Sequence, residues 1–241
     1  MAALEGRVHM HLILGQYYDE DRRQHVYPVE NGQTVVTVPE GVTEVFSSQN
    51  YNTRLRERYN KIVFPQSLRR VGHHACAGIH ELETVELPDN LESISRHAFE
   101  RTNIREINFP ATLREICSYA FAGAVTQEQQ SLFRSDIVFN SQILRIDDHA
   151  FYQAQSQRII GTGVNFVGTQ AFARMGNISR VEFIKRATFE DRCFQFTFPA
   201  VFVIGYPENQ YVFNGRVFAR PRFQTRHVNE MRVIILEEHN D

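Results

Sequence analysis

The chain of 241 residues has no tryptophan, 3 cysteines, 4 methionines, 8 prolines and 13 glycines. Each shortage excludes something. Three cysteines, an odd number in a chain this long, do not make a disulfide framework. So few prolines and glycines rule out a linker-dominated or collagen-like chain, and 42% hydrophobic residues rule out disorder. Neither sign of charge prevails: 26 basic against 28 acidic residues give a formal net charge of −2, so no global field recruits nucleic acid or an anionic membrane. Long apolar runs are missing as well. Near the N-terminus only Leu12 to Leu14 is apolar, behind His9 and His11, which is no secretory core. The longest charge-free stretch, Cys193 to Pro207, is too short to span a bilayer as a helix and contains Pro199. The chain therefore reads as soluble and intracellular, with neither signal peptide nor transmembrane segment.

Catalytic signatures are absent too. There is no Gly-rich phosphate loop, no Gly-x-Ser-x-Gly elbow, no His-Glu-x-x-His and no Cys-x-x-Cys, so the expectation is no enzyme, no cofactor and no metal.

What the sequence has in surplus is phenylalanine, 19 of them beside 9 tyrosines. Many fall in a repeated dipeptide: Ala98-Phe99, Ala120-Phe121, Ala150-Phe151 and Ala171-Phe172, the alanines spaced by 22, 30 and 21 residues. Ala75-Cys76 and Cys193-Phe194 extend the series at its two ends. Four residues before each alanine stands Val71, Ile94, Ile116, Ile146 or Val167, and three before that Leu68, Leu91, Leu113, Ile143 or Val164. Ahead of these lies a second apolar column: Ile62-Val63-Phe64-Pro65, Val85-Glu86-Leu87-Pro88 and Ile107-Asn108-Phe109-Pro110, then more loosely Ile137-Val138-Phe139 and Val181-Glu182-Phe183. Apolar, neutral or polar, apolar, breaker is a half-buried strand stopped by proline. A unit of about 22 or 23 residues is too small to bury its own apolar face, so its neighbours must cover it. The prediction is a β-rich repeat solenoid with little helix, in which each coil adds one short strand to a parallel sheet.

The run from Leu82 to Phe99, and Ile104-Arg105-Glu106-Ile107-Asn108-Phe109-Pro110 after it, resembles the BspA-like leucine-rich repeat, whose unit reads Leu-x-x-Ile-x-Ile-Pro-x-x-Val-x-x-Ile-Gly-x-x-Ala-Phe. The likeness covers roughly residues 60 to 195. It implies a leucine-rich repeat solenoid of about six or seven coils, with the Leu-x-x-Ile-x-Ile segment as the concave-face strand. It also implies a binding protein, often on a cell surface, which makes a surface adhesin an alternative location and role.

Terminal coils must hide the ends of the core, so degenerate sequence is expected there. Residues 1–34 are read as an N-terminal strand and cap, with Arg7 to Leu14 an edge strand and Asn31-Gly32 a turn into a worn first repeat at Val35 to Val45. Residues 35–195 form the solenoid, and 196–241 a C-terminal cap with strands at Ala200 to Pro207, Tyr211 to Phe218 and Met231 to Leu236. Ser47 to Asn60 is read as a polar insertion. The basic residues Arg216, Arg220, Arg222, Arg226 and Arg232 gather in the cap among Phe218, Phe223 and His227; the expected reading is a solvated face or a patch for an acidic protein, not nucleic acid.

Chemistry-bearing side chains fall into repeat slots. Cys76, Cys117 and Cys193 read as small core fillers. His74, His97 and His149 share one column with Tyr119, Gln170 and Arg192, a generic polar position, and His9 and His11 alternate on the presumed first strand. The expected binding surface is the outward side of the strand column: Lys61 and Val63, Thr84 and Glu86, Glu106 and Asn108, Asp136 and Val138, Arg180 and Glu182. It is mixed, mildly acidic in the middle and without large aromatic anchors, which suits a broad protein or glycan contact. The long 120-to-150 spacing adds a loop carrying Gln127, Glu128 and Gln129, a second contact candidate. The function expected is protein binding by the concave face, or else service as a subunit packed permanently into a larger assembly.

Overall fold

A strand of two or three residues cannot persist in water alone, so each must pair with its counterpart one coil away. In the computed structural model these pairings build a solenoid of about six turns with almost no helix. The structure describes residues 4–48, 58–105, 107–123, 136–139, 143–176, 178–197, 201–205, 212–217, 223–228 and 231–236, of which 205, 223–228 and 231–236 as backbone only.

The solenoid has two strand walls where one strand per coil was expected. The longer wall is built by the Leu-x-x-Ile column. Its nine parallel strands are ordered Gly6–His9, Val42–Phe46, Arg70–Val71, Ser93–Ile94, Glu115–Ile116, Arg145–Ile146, Phe166–Val167, Thr188–Phe189 and Val212–Phe213. Their register puts Val45, Val71, Ile94, Ile116, Ile146, Val167 and Phe189 in one row, all fully buried. The extra wall follows from the prolines: Pro65 and Pro88 follow the first strand of their coils, and the leucine three residues on, Leu68 or Leu91, leads into the second. Strands this short carry no alternation that a sequence pattern can display.

The expected strand column forms the other wall, in two pieces. A four-stranded sheet runs Val29–Glu30, Gln33–Thr37, Lys61–Val63, Thr84–Glu86, and a six-stranded one runs Ile137–Phe139, Arg158–Gly161, Arg180–Phe183, Val201–Gly205, Met231–Leu236, Phe223–Val228. Between the two, Ile104, Ile107 and Phe109 are buried in the intervening coil. Sequence reading missed the strand Arg158–Gly161, although Ile137, Ile159 and Val181 lie 22 residues apart and pair in register. It carries Gly161 where its neighbours carry Phe139 and Phe183. The ring of Phe183 fills the vacated room: a Cβ on Gly161 would sit 2.7 Å from it.

The Ala-Phe dipeptides form the corner that joins one coil to the next. Each phenylalanine N–H donates to the alanine-slot carbonyl one coil on, at 2.8 Å for Phe99 to Ala120, 2.7 Å for Phe121 to Ala150, and 2.8 Å for Phe151 to Ala171 and Phe172 to Cys193. Ala98, Ala120, Ala150, Ala171 and Cys193 are fully buried, so the slot takes small side chains. The rings of Phe99, Phe121, Phe151, Phe172 and Phe194 stack inside at centroid spacings of 5.2, 5.1, 5.3 and 5.4 Å. Such rings contribute both buried area and pair contacts to the core.

The N-terminal edge differs from expectation. The strand stops at His9 and a helix, Met10–Gly15, follows in place of a strand to Leu14. Met10, Ile13 and Leu14 recur at helical spacing and all are buried, so the helix plugs the open end of the core. Asn31 and Gly32 have φ of 49° and 79° between antiparallel partners, as a tight two-residue hairpin turn requires. At the other end Val201–Gly205 continues the parallel wall and Met231–Leu236 turns it antiparallel. Val212–Phe213 is not part of that cap hairpin but the ninth strand of the longer wall. Among the described residues no helix is long and apolar enough to cross a membrane.

Candidate functional site

Parallel pairing sets the outward residues of the strand column side by side. Lys61, Val63, Thr84, Asp136, Val138, Arg180 and Glu182 are half-buried there, and Glu86 and Asn108 are exposed. Glu106 and the loop residues Gln127, Glu128 and Gln129 lie outside the described residues. On the described part of this surface, basic side chains of the same or the neighbouring coil meet the carboxylates. The Lys61 ammonium reaches Glu86 at 2.6 Å. Arg158 Nε donates to Asp136 at 2.9 Å, Arg180 pairs with Glu182, and Arg105 pairs with Glu83. Thr84 accepts a hydrogen bond from the Gln33 amide at 3.0 Å. The Asp136 carboxylate, hydrogen-bonded to Arg158, holds that guanidinium above its ordinary range. Arg158 was missed together with its strand; the 22-residue spacing was the signal for both.

A second ordered surface lies at the corners. His74, His97, Tyr119 and His149 all adopt left-handed backbone, with φ of 52°, 57°, 60° and 58°. That conformation is unfavourable for residues other than glycine, and its repetition marks a position fixed by the surrounding turn. The rings stack face to face at 4.7, 5.1 and 4.7 Å, within 10° of parallel. The ladder continues in hydrogen bonds of 2.6 Å, from His149 Nε2 to the Gln170 amide and from there to Gln195. The column read as generic polar surface is thus an array of planar groups, and face-to-face rings aim no lone pairs at a shared point.

Within this ladder His97 Nδ1 lies 2.6 Å from a Glu100 carboxylate oxygen. Burial pushes Glu100 up to about 7, against the pull of Arg101. Burial also pushes His97 down to about 4, helped by the charges of His74, Arg96 and His73. Both shifts favour the uncharged form of each partner, so the pair shares one proton without forming an ion pair.

Among the described residues, Glu115, Cys117 and Asp147 are the one trio whose ligand atoms lie within 4.8 Å of one another. Burial, reinforced by Glu115 and Asp147, pushes the Cys117 thiol up to about 12, and Arg145 already engages Asp147. A protonated thiol and a paired carboxylate are poor ligands. His9 and His11 do meet, Nδ1 to Nδ1 at 2.6 Å, but across the start of the helix and not along a strand. No disulfide joins the three cysteines; Cys76 and Cys193 are buried, and burial raises the Cys193 thiol well above its ordinary value. In the basic cap only the Arg216 side chain is described; Arg220 and Arg222 lie outside the described residues, and Arg226 and Arg232 are described as backbone.

The stacked coils, two strand walls and phenylalanine corner define a leucine-rich repeat solenoid. A model of the BspA type leucine-rich repeat region matches the chain in six copies, over residues 48–135 and 129–229, and the chain belongs to that family. Among solved structures it is similar to a leucine-rich repeat protein of T. pallidum, at 20% identity and a TM-score of 0.42, over 77% of this chain and 70% of that one. It is similar also to a leucine-rich repeat protein from Bacteroides ovatus, at 17% identity and a TM-score of 0.44, over 76% of this chain and 52% of that one, about half its length. No curated protein matches the chain.

Proposed function

We propose that the chain is a non-enzymatic protein-interaction module that engages its partner through the strand face. The contacts come from Lys61, Thr84, Glu86, Glu106, Asn108, Asp136, Arg180 and Glu182, with Gln127, Glu128 and Gln129 of the inserted loop beside them. One observation carries the reading. Successive coils hold the described members of this set in register, so that ion pairs such as Lys61 with Glu86 and Arg158 with Asp136 alternate with half-buried Val63, Val138 and Ile160. A preordered mixture of charge and apolar area suits a broad protein surface better than a small ligand. Exposed pairs of this kind add little to folding, and their pattern serves instead to select a partner. Triple charge reversal, Glu86→Lys, Glu106→Lys and Asp136→Arg, tests it. Affinity for the partner identified by native pull-down should fall by at least tenfold with the thermal midpoint kept; unchanged affinity refutes the strand-face reading.

A second reading, a subunit packed permanently into a larger assembly, draws on Val212 and Phe213, each 42% exposed on the last strand of the longer wall. It predicts co-purification in fixed stoichiometry, whereas a recognition module is monodisperse alone. Light scattering of the purified chain separates the two.

A further inference from the structure

Two Asn-Gly pairs occur in this chain, Asn31-Gly32 and Asn214-Gly215, and both are exposed. Asparagine before glycine is prone to ring closure on itself, because the glycine nitrogen that attacks the asparagine side chain has no Cβ beside it to hinder the approach. Exposure does not separate the two pairs; how firmly the fold holds them does.

Asn214 is pinned. Its side-chain amide donates to Glu190 Oε1 at 2.9 Å, and its backbone N–H donates to the Phe189 carbonyl at 2.8 Å. Two residues on, the Arg216 N–H donates to Asp191 Oδ1 at 2.7 Å, and a Cβ on Gly215 would stand 2.5 Å from that same oxygen. Ring closure there has to break the amide bond to Glu190 and turn a backbone packed against the preceding coil.

Asn31 carries none of these restraints. Among the described residues its side chain has no hydrogen-bond partner, and nothing stands within 4 Å of where a Cβ on Gly32 would be. On one side the turn is held by Val29–Glu30, two exposed residues at the edge of the four-stranded sheet. Lifting them uncovers no core, and exposed backbone pairing with few apolar contacts opens at little cost.

We propose that Asn31 is a self-modification site, converted with Gly32 through a succinimide to aspartate and isoaspartate, while the fold protects Asn214. The Gly32 nitrogen attacks Asn31 Cγ, the new C–N bond closes a five-membered ring, and the side-chain nitrogen leaves as ammonia with the proton that the Gly32 nitrogen gives up. Water then opens the imide. Cleavage at Cγ gives aspartate, and cleavage at the backbone carbonyl gives isoaspartate; neither needs an oxidant or a reductant. Isoaspartate runs the backbone through one extra carbon, so the two-residue turn loses the register that pairs Glu30 with Gln33. Gln33 donates to Thr84 at 3.0 Å, so the change reaches the first coils of the strand face. The chemistry itself does not depend on what that face binds.

The test incubates the full chain at pH 8.5, native and in urea, and follows both asparagines by peptide mass spectrometry, with isoaspartate detected by enzymatic methylation. In the native chain Asn31 should convert at least tenfold faster than Asn214, and in urea the two rates should converge. Glu190→Ala should speed Asn214 and leave Asn31 unchanged. Asn31→Gln should abolish the early isoaspartate; glutamine already occupies left-handed positions at 153 and 170, and unchanged circular dichroism checks its fold. Equal native rates overturn the protection of Asn214. Conversion of Asn31 in urea but not in the native chain overturns the site.

Discussion

The His97 and Glu100 pair permits a sharp test of the corner geometry. Their side chains are 22% and 13% exposed, and burial moves both away from charge. Glu100 rises from 4.5 to about 7, so taken alone it contributes stability that is full below pH 4.5 and lost as pH rises toward 7. His97 falls from 6.5 to about 4, so taken alone it contributes stability present above pH 6.5 and lost as pH falls toward 4. Between pH 4.5 and 6.5 the unfolded chain binds one proton, on the histidine, and the folded chain also binds one, on the glutamate. The slopes cancel, and the pair is nearly silent across that window. Glu100→Gln keeps the shape and the hydrogen bond but removes one slope. Relative to the parent, it should lose stability toward acid by about 1.4 kcal/mol per pH unit, the value of one proton. His97→Gln should do the opposite and lose stability toward alkaline pH by a similar amount. Urea denaturation at pH 4.5, 5.5 and 6.5 reads both differences directly. Parallel pH profiles for the parent and both variants would refute the neutral shared-proton pair.

Phe121→Ala removes the second of the five rings of the core ladder, which touches Phe99, Phe151 and Phe109, and should cost about 3–5 kcal/mol in chemical denaturation. A near-neutral result would sink the stacked-coil architecture. Gly123→Ala places a Cβ 2.5 Å from the Gln153 carbonyl oxygen of the next coil, a backbone atom that cannot step aside, and should destabilise by about 1–3 kcal/mol. If its melting point matches the parent, the coils are not in contact there. Cys76 and Cys193 are buried and Cys117 is pushed up to about 12, so a thiol reagent at pH 8 should label the native protein slowly and all three sites at once on unfolding. Rapid labelling of one cysteine before unfolding would contradict that burial.

The solenoid is legible in the chain because its core is written as a local pattern recurring once per coil. Ala-Phe and apolar-x-apolar-Pro each report burial at a fixed offset, and the buried Phe99 to Phe194 ladder lies where those offsets put it. Other features had no such mark. Seven strands of the nine-stranded wall have two residues each, below the length at which alternation can be read. The helix Met10–Gly15 hid inside an apolar run whose i, i+3, i+4 spacing was short enough to pass for an edge strand.

Sequence by itself determined which residues face the core, how long a coil is and that coils must stack, since apolar periodicity and proline stops act within one unit. Only tertiary structure decided what the outward residues meet. Lys61 reaches Glu86, Arg158 reaches Asp136 and His74 stacks on His97 across intervals of 22 to 25 residues, through a register that exists only after neighbouring coils have paired. The same pairing buries the Gln153 oxygen, so the chemistry of the surface belongs to the stack and not to the repeat.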